Sequence, residues 1–205
     1  MKKLYEEASV QAIADAIRAK AGTADTYKIA DMPDAIVNLP SGGGATEPYI
    51  EETYDSNGNL IEAKLYGHTS LRYRMFDHCK KMVNISLPPS ITSINGEVFN
   101  NCNELAITNL PPAITDIGNA AFAYCYKLSI ERFPYSIKSI GSYSFNNCTG
   151  LTSITFEGTP TSLNSFSFIN CYNLTTINVP WAEGAVANAP WGATNATINY
   201  NYTEG

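Results

Sequence analysis

With 205 residues, 44% hydrophobic and only 16% charged, the chain is long enough for one ordinary domain and a small extra module. It is too apolar and too weakly charged for a disordered chain or a charged coiled coil. The formal net charge of −6 and the lack of any Lys/Arg run exclude the electrostatic footprint of a nucleic-acid binder, and no apolar run approaches the roughly 20 residues that cross a bilayer.

In chain order, the start Met1-Lys2-Lys3-Leu4-Tyr5-Glu6-Glu7 has the lysines of a signal peptide without the apolar core, which Glu6, Glu7, Gln11 and Asp15 interrupt. A cytoplasmic origin is therefore expected. Residues 1–40 predict a two-helix attachment module: Val10, Ile13 and Ile17 form one apolar stripe, and Ile29, Met32, Ile36 and Val37 a second. Asp31 is placed to cap the second helix, with Pro33 in its first turn. Residues 41–48 read as a Gly-rich linker, and 49–68 as a β-hairpin cap turning at Asp55-Ser56-Asn57-Gly58. Residues 69–183 carry five repeats, and 184–205 read as a closing cap. There Trp181 and Trp191 are suited to covering the last coil, and Ala193–Tyr202 alternates like an extra strand.

The repeat is written in its ladders. Cys79, Cys102, Cys125, Cys148 and Cys171 lie 23 residues apart, as do Phe76, Phe99, Phe122, Phe145 and Phe168. Met82, Leu105, Leu128, Leu151 and Leu174 keep the same step, without insertion or deletion. Ala121, Phe122, Cys125 and Leu128 have the spacing of a short helical or 3₁₀ turn with one buried side. Leu151, Ile154 and Phe156 have that of a short inward-facing strand. So small a unit cannot bury its own apolar side, and only stacking creates a core. The fold expected is a leucine-rich-repeat solenoid of short strands plus short helical or 3₁₀ turns, with a small N-terminal helical module and β caps. In the second and third repeats the isoleucines fall one place early, at Ile107 and Ile130, leaving Thr108 and Glu131 where later repeats have Ile154 and Ile177. A bulge or altered strand ends are predicted there.

Chemistry finds little footing. No nucleophile elbow, phosphate loop or HExxH motif occurs, and no enzyme is expected. One cysteine per coil suits buried, reduced core thiols. A metal set would need clustered ligands, and disulfides would need a torsion that in-register side chains seldom reach. No metal site and no cofactor are expected. The candidate binding surface is the outward strand column Ser86, Asn109, Arg132, Thr155 and Asn178, with Asn84, Glu131, Ser153 and Thr176 beside it. It is small, polar and hydrogen-bonding. It suits carbohydrate or protein contact, and equally a plain solubilising surface. Tyr124, Tyr126, Tyr143 and Tyr172 belong to the opposite side or its rim, where they either stack on sugars or pack between coils.

The unit Ile117-Gly118, Ala121-Phe122, Cys125, Leu128, Pro134, seen again as Ile140-Gly141, Phe145, Cys148, Leu151 and Ile154, resembles the BspA-like class of bacterial leucine-rich repeats over residues 69 to about 181. The resemblance implies an adhesin, a surface antigen or a phage structural protein. Residues 9–39 and the closing segment from Val179 resemble parts of tail-associated proteins of phages and prophages of Gram-positive bacteria. Together these imply a virion component, assembled in the host cytoplasm and released by lysis. Its N-terminal module would hold virion structural proteins, and its solenoid would meet a host-surface glycan or protein. Neither nucleic acid nor membrane insertion is implied, and homo-oligomerisation stays open. The alternative is a bacterial surface adhesin of the same repeat class.

Overall fold

The computed structural model describes residues 48–203. The two-helix module expected over 1–40, and residues 41–47 of the linker, lie outside the described residues.

The first strands are β1 (Tyr49–Tyr54) and β2 (Leu60–Tyr66), an antiparallel hairpin. Its turn is held by Asp55, whose Oδ1 accepts the Asn57 and Asn59 backbone N–H groups, while Gly58 adopts φ +78°. Such a φ costs glycine nothing. All other strand pairs are parallel. Along one side run β3 (Ser70–Leu71), β5 (Ser93–Ile94), β6 (Asp116–Ile117), β8 (Ser139–Ile140) and β10 (Ser162–Leu163), paired in the order β3-β5-β6-β8-β10. Along the other, β4 (Asn84–Ser86) pairs back onto β2, while β7 (Arg132–Phe133), β9 (Ser153–Phe156), β11 (Thr176–Asn178) and β12 (Thr197–Asn199) form a separate sheet.

The chain is thus a β-solenoid of mostly parallel strands, and the expected mixture of strands with helical or 3₁₀ turns is corrected: among the described residues there is no helix. The corner from Ala120 to Leu128 shows why. Cys125 N–H donates to Phe122 O and Leu128 N–H to Cys125 O, the three-residue spacing of a 3₁₀ turn. Between them, however, Phe122 N–H and Tyr124 N–H leave the segment and donate to Ser144 O and Asn146 O of the next coil, both at 2.8 Å. Tyr124 stands at φ +62°, as do its column mates His78, Asn101, Asn147 and Asn170 at φ of about +60°. A left-handed residue ends any right-handed helical run. The corner is therefore a chain of turns whose donors bind coil to coil.

Inside the corners, the phenylalanines stack from Phe76 to Phe168 with centroids 5.2–5.6 Å apart. Phe133 joins them edge-on, at 5.4 Å from Phe145, and stacks on Phe156 at 4.7 Å. Phe156 in turn meets Trp181, and Trp181 meets Trp191. Full burial of each ring stabilises the fold by roughly 2–3 kcal/mol, before the entropy of ordering is set against it. The core is therefore one continuous column, from the hairpin residues Ala63 and Leu65 to Trp191.

The strand side is less regular. In the fourth repeat Ile154 and Phe156 are buried two apart; in the third the buried pair is Ile130 and Phe133, and in the second Ile107 and Leu110, three apart. An interval of two fits strand alternation and an interval of three does not. So β9 has four residues, β7 has two, and the second repeat keeps only the isolated bridge Asn109↔Arg132.

Candidate functional site

The parallel register brings one part of the expected surface together. Asn109 pairs with Arg132, Arg132 with Thr155, and Thr155 with Asn178. The column then runs on to Asn199, which pairs with Asn178. Its members are tied to each other: Asn178 Nδ2 donates to Thr155 Oγ1 at 3.1 Å, and Asn199 Nδ2 to Asn178 Oδ1 at 2.8 Å. Arg132 lies 3.8 Å from Glu157, both about half exposed. Ser153 and Thr176 are partners beside the column, with Thr197 after them. Glu131 is exposed next to Arg132.

Two expected members stand elsewhere. Asn84 and Ser86 pair with Glu62 and Lys64 of the hairpin, in a different sheet, so they do not continue the column. Asn199 was missed because β12 follows β11 by 21 residues rather than 23; the repeated tripeptide Thr-Ile-Asn at 176–178 and 197–199 is the signal that finds it.

The cysteines form a structural ladder of their own. Cys102, Cys125, Cys148 and Cys171 are buried free thiols, and each Sγ donates to a phenylalanine carbonyl of the preceding coil, at Phe76, Phe99, Phe122 and Phe145, over 2.9–3.1 Å. Burial raises their pKa values, that of Cys171 to about 12, because a thiolate there would lose its hydration. Cys79 is only half-buried, since no repeat precedes its own. Among the described residues, no group of three or more His, Cys, Asp or Glu is placed to hold a metal ion. Among the described residues there is likewise no helix long and apolar enough to cross a membrane.

A second surface lies over the five-stranded side. A groove of about 550 Å³ crosses the coils from Tyr73 past Glu97, Asn119 and Ser142 to Asn164. At its first end the Tyr73 hydroxyl donates to Glu97 Oε1 at 2.9 Å, which holds the phenol proton and raises its pKa, while the Arg74 guanidinium pairs with the same carboxylate and lies 5.1 Å over the Tyr73 ring. Of the tyrosines singled out, Tyr143 stacks on Phe166 and Tyr124 packs edge-on against Tyr126, while Tyr172 stands 60% exposed.

A family model described as the BspA type leucine-rich repeat region matches residues 69–186 in six copies. A leucine-rich-repeat protein of Bacteroides ovatus is 26% identical over 58% of this chain, with a TM-score of 0.51. The chain spans 31% of that protein. A leucine-rich-repeat protein of T. pallidum is 20% identical over 63% of this chain and 81% of its own, with a TM-score of 0.46. No curated protein matches the sequence. The chain belongs to the BspA-type leucine-rich-repeat family.

Proposed function

We propose that this BspA-type leucine-rich-repeat chain is a bacterial surface or secreted interaction protein that engages a protein or a cell surface through its polar strand face. The observation that supports this reading is the in-register column Asn109, Arg132, Thr155, Asn178 and Asn199. A parallel sheet holds such side chains at intervals of about 4.8 Å and pre-pays much of the ordering that binding costs. The full chain is to be tested for adhesion to intact bacterial and host cells, beside Asn178→Arg. Adhesion weakened about tenfold with unchanged thermal stability supports the reading, and undiminished adhesion overturns it.

A second reading, a tail-associated virion component, is favoured by the likeness of residues 9–39 to segments of such proteins. It requires the chain to be found by mass spectrometry in purified particles and to leave them when residues 1–40 are deleted. Particles without the chain refute it.

A further inference from the structure

We propose that the groove over the five-stranded side binds a neutral oligosaccharide. This site lies apart from the strand-face column and stands or falls independently of it. Its lining takes one residue or more from each of five coils, Tyr73 in the first and Asn164 in the last, so at about 4.8 Å per coil it is roughly 19 Å long. That length suits a chain of several sugar units.

The charge excludes an anionic ligand. No Lys, Arg or His lines the groove, and its carboxylate, Glu97, already holds the Tyr73 hydroxyl and Arg74. What remains is neutral hydrogen-bonding capacity, and it is oriented. Asn119 Oδ1 accepts the Ser142 N–H at 2.8 Å, and Asn164 Oδ1 accepts the Phe166 N–H at 3.1 Å. Both carboxamides are thereby fixed with their NH₂ groups turned to the remaining side. Among the described residues neither NH₂ group has a protein partner, nor do the hydroxyls of Ser142 and Ser162. Hydroxyl groups of a sugar would accept from the amides and exchange donor and acceptor roles with the serines.

The seat is shaped by a missing side chain. A Cβ at Gly141 would stand 2.5 Å from Asn119 Oδ1, so the Asn119 carboxamide lies where a larger residue would displace it, while a Cβ at Gly96 would only touch the Tyr73 ring, at 3.4 Å. An aromatic platform adjoins the groove: Tyr143, next to Ser142, stacks on Phe166 at 5.6 Å, and the rings are 45% and 46% exposed. The same column in the preceding coil holds Ala120, so no third ring covers the stack. Exposed aromatic faces are apolar surfaces on which the C–H face of a sugar ring can lie. An extended peptide fits less well, because strand addition needs an open edge and the groove lies across strands already paired with one another.

The test is binding of the full chain to an array of neutral glucan, mannan and N-acetylhexosamine oligomers, followed by calorimetry with those that bind. Ser162→Tyr fills the groove and Tyr143→Ala removes the platform; each is expected to weaken binding about tenfold or more at unchanged thermal stability. Asn178→Arg, on the other face, leaves it intact. A blank array, binding confined to sulfated glycans or to peptides, or affinity indifferent to both groove substitutions overturns the proposal.

Discussion

The two strand sides of the solenoid have the same coils and yet differ in continuity. On one, β3, β5, β6, β8 and β10 pair without interruption through all five repeats. On the other, β4 turns back to the hairpin and pairing resumes only at the bridge from Asn109 to Arg132. Hydrophobicity does not separate them, since Ile107 and Ile130 are buried as Ile154 is. Spacing does. The regular side repeats one outward and one buried residue before an unchanging Phe/Cys corner. The irregular side moves its buried isoleucine by one position, and the backbone must spend two outward residues before the next buried one. Ladder continuity in this fold follows constant spacing of buried residues more than their apolar character.

The largest effect should come from the corner. Phe122 is fully buried and stacked on both neighbours, so Phe122→Ala should cost about 3–5 kcal/mol, read from the denaturant midpoint at constant slope. Ile107→Ala, at the displaced strand edge, should cost about 2 kcal/mol. Equal losses would break the comparison. Next comes alkaline pH. The folded-state pKa values of the buried thiols lie above their ordinary value of 9.0. Their contribution is therefore complete below pH 9 and is lost as pH rises toward the folded values, about 12 for Cys171. Stability should fall above pH 9, by up to about 1.4 kcal/mol per pH unit for each thiol ionised only in the unfolded chain. Cys148→Ala should flatten that slope; a slope equal to that of the unaltered chain would remove the thiols as its cause.

How much of this was legible follows from what repeats. The period and the Phe and Cys ladders could be read because each recurs every 23 residues. The corner conformation could not be read from Ala121, Phe122, Cys125 and Leu128, whose spacing suits a 3₁₀ turn and a chain of turns alike. The residue before each cysteine carries the missing signal: Asn101, Asn147 and Asn170 occupy that column, and Asn tolerates the left-handed region better than most. The strand-face column is visible from alternation as far as Asn178, and the shortened last coil hides Asn199. The groove is hidden for another reason: its lining keeps the 23-residue step, with Tyr73, Gly96, Asn119 and Ser142 in one column and Gly118, Gly141 and Asn164 in the next, but the residue type changes along each column, so no ladder marks it.

Two smaller changes sharpen the contrast. Ile130→Ser with Glu131→Ile rewrites the third repeat as Ser-Ile-Arg-Phe, matching Ser153-Ile154-Thr155-Phe156. If spacing sets continuity, β7 should lengthen and its amides exchange more slowly with solvent, with a stability change within about 1 kcal/mol. Unchanged protection would mean that something other than spacing shortens the strand.

The smallest effect is expected on the polar column itself. Arg132 and Glu157 are about half exposed and 3.8 Å apart, a geometry in which attraction is screened and side-chain entropy opposes it. Glu157→Gln should therefore shift stability by less than about 0.5 kcal/mol, measured by denaturant titration at low and high salt. A larger, salt-sensitive loss would make the column part of what holds the coils together. A negligible one leaves it to the solenoid's surroundings: the Phe and Cys corners already stabilise the stack, so residues on this face can change with a partner without cost to the fold.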